Sequence, residues 1–542
     1  MKTIYKSLTA AALALPVMMS SCIEETFPTS GFTTEQIQGN SLAIESTLRG
    51  MPAYMKKIQV WTTHGFDFGY PAMMIMNNCL TNDMFESPTG YDWFSSWLEA
   101  SENLNSGYVL SQVTWYYFNF MVNATNEAVS GTRNSIDTPF GKGAYAQALL
   151  YRASTYLDMA RIFEWLPTAA VPSFSGAGND VTGLTVPIVT PDTPDDQRAN
   201  NPRATHDQMV KFLLDDVNLA IDLYQQGGTQ PTDKQFPGLA VAYGLKARIL
   251  MWDEKYPQAA EAAQMAINST AATPTTRDQW LSTTNGFNDS SVPSWLWCIQ
   301  FESNDDATQS WTNWTSFMSP ELWIGYGGGG SGSGDTYWMM DKQMYERISN
   351  SDWRKLTFKA PAGHPLEDQT PALDAERFSA LTDYACVKFR PGSGNMNDEP
   401  TAFATAVPLM RIEEMYFIKA EAEAHTTPAV GKQTLESFMK QYRYPQYACT
   451  ATGSEDVIEE IIFQKRVEFF GEGVIFYDWK RLGYGVDRAY DGTNWPDAER
   501  YVVEGRPAWM NRPFVDYEGE FNQGVRGYEN PNTGGVYDPV FN

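Results

Sequence analysis

Two helix-like blocks near the end of the chain constrain its fold more than any other feature. Residues 409–424 place Ile412 and Tyr416 on one stripe, at the steps of three or four residues that an α-helix requires. Residues 461–483 begin in the same way, break at the Gly-Glu-Gly turn 471–473, and resume in an aromatic-rich segment. Neither block presents a nucleophile, a metal-ligand set or a phosphate loop. They predict a body built from helices that pack against one another.

Paired helices of this kind recur along the chain. The clearest pair covers 239–250 and 259–267, with alanines four residues apart and a short turn between the two helices. Small residues at such positions let helices approach closely, and the pattern is typical of a tetratricopeptide unit. Blocks 409–424 and 455–470 are interpreted as the last pair. We expect a mainly α fold with about four such pairs and few short strands.

Two loop-rich insertions, at about 61–110 and 270–405, interrupt the helix pairs. They combine many Trp and Tyr residues with Gly, Asn and Asp. Residues 295–301 alternate like a buried strand, but most of the insertions lack a helical or strand period. Because loops on a rigid scaffold commonly carry binding sites, the insertions are expected to face a ligand. One globular unit is predicted over 22–542.

The first residues have the features of an export signal. A basic start (1–6) precedes a short apolar stretch, and Ser20 and Ser21 lead directly to Cys22. The apolar stretch is too short to span a bilayer, and small residues before a cysteine resemble a bacterial lipobox. We expect 1–21 to be a lipoprotein signal peptide and Cys22 to carry the lipid anchor. An ordinary signal peptide with a coincidental cysteine is the alternative.

The charge of the chain limits its ligands. There are 65 acidic and 39 basic residues, which gives a formal net charge of -26. Such a charge repels phosphate backbones and anionic headgroups, so a nucleic-acid ligand is disfavoured. Polyanionic glycans are disfavoured as well unless Lys and Arg cluster locally. Neutral sugars remain compatible.

Four cysteines remain once Cys22 is assigned to lipid. Two of them, Cys79 and Cys298, lie in stretches typical of a core, and no close cysteine pair exists. Buried free thiols are therefore expected, although export would permit disulfides.

Several segments together resemble the SusD/RagB family of outer-membrane nutrient-binding lipoproteins. The carriers of the resemblance are 409–424, the segment Arg466-Val-Glu-Phe-Phe-Gly-Glu-Gly473 and the turn Tyr477-Asp-Trp-Lys-Arg481. Residues 146–167 and 239–268 match the family in the same order, so the resemblance extends over the whole chain after the signal peptide.

The resemblance implies a cell-surface protein that captures oligosaccharides and delivers them to a TonB-dependent outer-membrane transporter. Family members carry a helix-pair scaffold on one side and a ligand-facing region on the other, and they are not enzymes. The residues agree, because the four histidines are scattered singly and form no HExxH or other metal-ligand spacing. The glycine-rich run 327–334 fits neither a nucleophile elbow nor a P-loop. No catalytic residue, metal or cofactor is predicted, and the expected location is the outer face of the outer membrane.

Aromatic and polar side chains of the insertions are the candidate ligand-binding residues. Neutral sugars present C–H faces that stack on aromatic rings, and their hydroxyl groups need planar polar partners. The candidates are Asn82, Asp83, Tyr91, Trp93, Trp311, Asn313, Trp314, Trp323 and Tyr326. The three tryptophans of 311–323 rank first because their neighbours are polar. A place in the core is the alternative for every ring.

Two other functions stay open at this point. In the first, the same fold binds peptides or another nutrient. Binding of an extended peptide without any glycan signal would indicate this function. The second is a non-binding tetratricopeptide scaffold in the periplasm. Exposure to protease or antibody on intact cells would separate this scaffold from a surface receptor.

Overall fold

The computed structural model describes residues 40–87, 93–328 and 336–541. The predicted lipid-acceptor Cys22, with the signal peptide before it, and the candidate Tyr91 lie outside these residues. None of the described helices combines the length and the apolar composition needed to cross a bilayer.

Eleven helices of eight residues or more contain most of the helical residues of the described structure. They are α1 (Ser41–Met55), α2 (Tyr70–Cys79), α3 (Val109–Thr132), α4 (Pro139–Phe163), α5 (His206–Gln225), α6 (Leu239–Trp252), α7 (Tyr256–Asn268), α8 (Ile412–Thr426), α9 (Pro428–Tyr442), α10 (Ser454–Glu468) and α11 (Ile475–Leu482). Shorter α-helices lie at Ser95–Leu98, Asp195–Arg198, Arg277–Trp280, Trp314–Met318, Lys342–Arg347, Ala375–Ala380, Glu399–Ala402 and Glu518–Phe521.

The strands of the described residues are few and short, as expected. They are β1 (Met84–Glu86), β2 (Trp295–Gln300), β3 (Trp338–Met340), β4 (Ala406–Arg411), β5 (Val486–Asp487) and β6 (Val502–Val503). They pair antiparallel as β1–β3, β2–β4 and β5–β6, each pair forming a separate two-stranded sheet. The buried strand predicted at 295–301 is confirmed as β2.

The long helices pack in chain order, and this packing makes the scaffold. Helix α3 packs on α4, α4 on α5, α6 on α7, and α7 on α8. At the α6–α7 contact Ala259, Ala263 and Ala266 are completely buried. These small side chains allow the close approach that their spacing predicts, and the mainly α helix-pair scaffold is confirmed.

The structure corrects the predicted last pair in two places. The block 409–424 is not helical throughout, because its first residues end β4 and the helix begins at Ile412. Backbone pairing with β2 holds Arg411 opposite Trp295 and prevents an earlier helix start. Helix α9 was missed, and α8 packs against both α9 and α10.

The predicted break at 471–473 is confirmed between α10 and α11. Gly471 and Gly473 have φ values of 80° and 75°, in the left-handed region that glycine adopts readily. A Cβ atom at Gly471 would lie 2.6 Å from the ring of Phe389. The four cysteines of the described residues are buried free thiols, as expected.

Candidate ligand-binding surface

Rings from the two insertions meet on the surface in a chain of contacts. The ring centroids of His64 and Trp93 are 5.7 Å apart, those of Trp93 and Tyr326 6.3 Å, and those of Tyr326 and Trp311 5.9 Å. His64 is exposed, and the other three are half-buried. We call these four residues the aromatic band. Trp93 is thus brought together with two further predicted candidates, Trp311 and Tyr326, which lie more than 200 positions later in sequence.

Close packing fixes the orientation of the band. The ring of Phe317 stacks on that of Tyr326 at 4.7 Å with an interplanar angle of 20°. The indole Nε1 of Trp311 donates a hydrogen bond to Glu399 Oε1 at 2.8 Å. Gly65 lies against Trp93, where an added Cβ would be 2.8 Å from the indole Nε1. The rings are therefore positioned before any ligand arrives.

Among the predicted rings that the structure describes, Trp323 is the most exposed, with 42% of its surface accessible. Its backbone N–H donates to the Met396 carbonyl at 2.9 Å, which anchors the loop. The guanidinium of Arg377 lies 5.8 Å from the ring centroid and donates to the carbonyls of Pro320 and Gly327, each at 2.8 Å. Trp323 therefore presents a free indole surface on a loop held by backbone hydrogen bonds.

Three other candidates occupy structural positions. Trp314 is only 2% exposed, and its ring packs edge-on against Phe389 at 5.2 Å. Asn313 caps the helix at 314–318, since its Oδ1 accepts from Ser316 N at 2.9 Å. Asp83 is buried, and its Oδ1 pairs with Arg466 Nη2 at 2.5 Å. These three side chains are thus engaged in packing, helix capping and an ion pair.

Two predicted residues remain. Asn82 is half-buried next to β1, and Tyr91 lies outside the described residues. Ligand contact by any of the nine candidates stays a prediction.

A second aromatic surface was missed in sequence. The rings of Trp61 and Tyr116 stack at 3.7 Å with an interplanar angle of 20°, and Phe120 lies 6.4 Å from Tyr116. Trp61 is 40% exposed and Phe120 38%. The Asp67 carboxylate accepts from the backbone N–H groups of Trp61 and Thr62, both at 2.8 Å, which closes this loop on itself. The Trp61 indole Nε1 donates to Gln112 Oε1 of α3 at 3.2 Å. We call Trp61, Tyr116 and Phe120 the aromatic platform.

The signal for the platform was present but ambiguous. Tyr116 and Phe120 are four residues apart, the spacing that places side chains on one helix face. They lie in the run Trp115-Tyr-Tyr-Phe-Asn-Phe120, in which every helix face carries a ring. The sequence therefore did not show that Trp115 and Phe118 point inward while Phe120 is exposed.

The described residues contain no group of three or more His, Cys, Asp or Glu side chains that could hold a metal ion. Burial raises the pKa of the Cys79, Cys298 and Cys386 thiols above their ordinary value. The uncharged rings are thus the chemically distinctive groups of this surface. Fold and surface together define a helical-scaffold protein with exposed and half-buried aromatic rings on its loops.

Comparison with known proteins identifies the family. Residues 269–532 match the model of the SusD family. The family assignment made from the sequence is thereby confirmed over that range, and the whole described chain has the SusD-like fold. No curated protein matches the chain in sequence.

Solved structures with this fold cover almost the whole chain. A SusD-like carbohydrate binding protein from Bacteroides vulgatus is 18% identical with a TM-score of 0.70, covering 92% of this chain and 99% of its own. A SusD superfamily protein from Bacteroides thetaiotaomicron is 18% identical, with a TM-score of 0.66 and coverages of 91% and 100%. The surface glycan-binding protein A from Bacteroides fluxus is 16% identical, with a TM-score of 0.62 and coverages of 91% and 99%. Two of these three descriptions name binding proteins.

Proposed function

We propose that this protein is a cell-surface lipoprotein that captures neutral oligosaccharides on its aromatic surface and passes them to a TonB-dependent outer-membrane transporter. The observation that carries the proposal is the meeting of Trp93 with Tyr326 and Trp311 in the aromatic band. Trp323 and the platform expose further rings. Fixed aromatic faces suit the C–H faces of sugar rings. The similar structures described as carbohydrate- and glycan-binding support the same ligand class.

The charge of the chain supports a neutral ligand. The net charge of -26 repels acidic polymers over the Debye length of about 8 Å at physiological salt. An uncharged sugar chain escapes this repulsion and gains from stacking. We therefore place neutral glycans before sulfated or uronic polymers.

Glycan-array screening followed by calorimetry tests the ligand. Trp323→Ala and Trp93→Ala should each weaken the binding of a glycan that the unchanged protein binds. Phe174→Ala removes a ring that is 55% exposed in another loop and serves as the matched control. Unchanged affinity in both tryptophan variants would refute this surface, and an extended peptide as the sole ligand would refute the sugar class.

The membrane attachment and the single unit are proposed on sequence alone. Cys22 as the lipid acceptor places the unit 22–542 at the outer membrane. Cys22→Ala should release the protein from the membrane fraction, and protease added to intact cells should cleave the unchanged protein. Copurification of the transporter with the lipidated protein tests the partner. In the control, the transporter should not be recovered when the lipidated protein is absent.

A further inference from the structure

A cavity of about 380 Å³ lies beside the ends of α4, α6 and α11, and it shares no residue with the band, the platform or Trp323. Apolar surface comes from Leu166, Trp252 and the ring of Tyr477. Glu254 is exposed and Arg506 is partly so, which places the mouth of the cavity at the solvent. This volume admits a small organic molecule rather than a polymer.

Basic side chains dominate the wall of the cavity, against the composition of the chain. The basic residues are Arg161, His206, Lys480, Arg481 and Arg506, and the acidic ones are Glu164, Asp253 and Glu254. In the whole chain, by contrast, 65 acidic residues face 39 basic ones. The cavity is thus a local cluster of basic groups of the kind that would admit an anion.

The acidic and basic groups of the wall are not all free to act on a ligand. Arg161 is paired with Asp158 at 2.5 Å, and Arg481 with Asp478 at 3.2 Å. Glu164 is occupied as well, because one of its carboxylate oxygens contacts His206 Nδ1 at 2.7 Å and the other accepts from the Trp252 indole at 2.8 Å. Asp158 and Asp478 lie outside the wall and neutralise Arg161 and Arg481 there, while Glu164 pairs with His206 within it.

Lys480 and Arg506 differ from these ion-paired groups, because their hydrogen bonds go to main-chain carbonyls. The ammonium of Lys480 donates to the carbonyls of Ile162 and Glu164 at 2.9 and 2.8 Å. The guanidinium of Arg506 donates through Nε to the Lys480 carbonyl at 2.6 Å and through Nη1 to that of Pro167 at 2.8 Å. Carbonyls at helix ends carry only a partial negative charge, so they hold both cations in place without neutralising them.

Burial makes this positive charge unfavourable in the absence of an anion. Desolvation lowers the pKa of Lys480 well below its usual value and lowers that of Arg506 as well. An anion inside the cavity would offset this desolvation. The planar guanidinium of Arg506 retains N–H groups in the geometry that carboxylate and phosphate oxygens accept.

We propose that this cavity is a second binding site, separate from the glycan surface, for a small organic oxyanion: a carboxylate or phosphate group carried on a body that packs against Trp252 and Tyr477. Arg506 and Lys480 hold the oxyanion, and the rings accommodate the rest of the molecule. The exposed carboxylate of Glu254 at the mouth opposes binding and limits the affinity.

Calorimetry on the purified full chain tests the site with three probes at matched ionic strength: glucuronate, glucose 6-phosphate and neutral glucose. The expected result is saturable binding of at least one charged probe, with a dissociation constant near or below about 1 mM, and none of glucose. The two charged probes separate carboxylate from phosphate recognition. Arg506→Gln should weaken binding at least tenfold, whereas Arg133→Gln, which removes an exposed guanidinium paired with Asp192, should leave it unchanged.

A second variant tests the charge of the wall without touching buried residues. Glu254→Gln should tighten binding severalfold, while Glu376→Gln, the same change at an exposed site in the second insertion, should have no effect. Equal binding of glucose and the charged probes, absence of saturable binding by either, or an unchanged affinity in Glu254→Gln would each overturn the proposal. Trp323→Ala leaves this cavity intact, so failure of the glycan surface and failure of the oxyanion site are told apart.

Discussion

The ion network at the end of α10 and the aromatic band on the insertions show opposite uses of side chains. At Glu468 the guanidinium groups of Arg443, Arg411 and Arg354 converge at 2.6, 3.1 and 3.0 Å, and the carboxylate is completely buried. In the band the rings carry no formal charge when His64 is neutral, and they remain partly exposed. Their polar atoms lie only at the ring edges. The scaffold thus neutralises charge inside, and the insertions present uncharged faces outside.

The difference follows from how each region is stabilised. A buried carboxylate with three arginine partners is stabilised only while all partners remain in place. Glu472 extends the network, because it accepts from Arg411 Nε at 2.8 Å and pairs with Lys388 at 2.6 Å. Such a network fixes β4, α9 and α10 relative to one another. The band instead rests on apolar packing, which tolerates the loss of one ring.

The largest expected effect comes from breaking the network. Glu468→Gln keeps the shape of the side chain but leaves three buried guanidinium groups with one carboxylate fewer, which should lower the free energy of unfolding by about 3–5 kcal/mol. The midpoint of urea denaturation measures this loss. Glu376→Gln, an exposed change, should shift stability by less than about 0.5 kcal/mol. A similar small shift for both variants would show that the network does not hold the scaffold together.

The pH dependence of stability sharpens the same comparison. Burial opposes ionisation of Glu468, but Arg443, Arg411 and Arg354 outweigh it and hold the pKa of this carboxyl well below its ordinary value. A depressed pKa stabilises the folded state above the unfolded value of about 4.3, and this contribution is lost as the pH falls towards the folded value. Stability should therefore decrease on acidification below about pH 4.5, with a smaller slope in Glu468→Gln. Equal slopes in both proteins would contradict the assignment.

The sequence predicted the helical scaffold more fully than it predicted the ligand-facing surface. Helical spacing and the alanines of α6 and α7 predicted helix pairs because burial of a periodic face is a local property. The strand at 406–411 was not predicted, because its partner β2 lies more than 100 residues away in sequence. Helix α9 was missed in a stretch with few apolar residues.

For the candidate site, residue type was a weaker guide than position. Trp311 and Trp314 are three residues apart in equally polar sequence, yet one is half-buried at the surface and the other lies in the core. The difference arises from the turn of the short helix at 314–318, which directs Trp314 towards Phe389. Neighbouring polarity does not encode this direction.

A ring exposed on the insertions should affect ligand binding and leave stability unchanged. Trp323→Ala removes an indole that is 42% exposed and outside the core, so the urea midpoint should change little. The free energy of glycan binding should become less favourable by about 1–3 kcal/mol. This is the range found when one aromatic ring that stacks on a nucleobase is replaced by alanine. Calorimetry with the best glycan from an array measures this effect. A loss of stability without loss of affinity would place Trp323 among the structural residues.

The smallest effect is expected at Gly65, where the band touches its own loop. Gly65→Ala introduces a Cβ that would lie 2.8 Å from Trp93 Nε1, so the indole must turn away. Because Trp93 is only half-buried and its ring can turn, overpacking should lower stability by about 1 kcal/mol or less, below the usual range for a core. Glycan affinity should still fall severalfold, since Trp93 would leave its position against Tyr326. Gly50→Ala, at a half-buried helical position where the added Cβ meets no heavy atom within 4 Å, is the matched control. It should leave affinity unchanged and raise stability by about 0.5–1 kcal/mol, because glycine is unfavourable inside a helix. Unchanged affinity in Gly65→Ala would mean that the orientation of Trp93, as distinct from its presence, is irrelevant to the ligand.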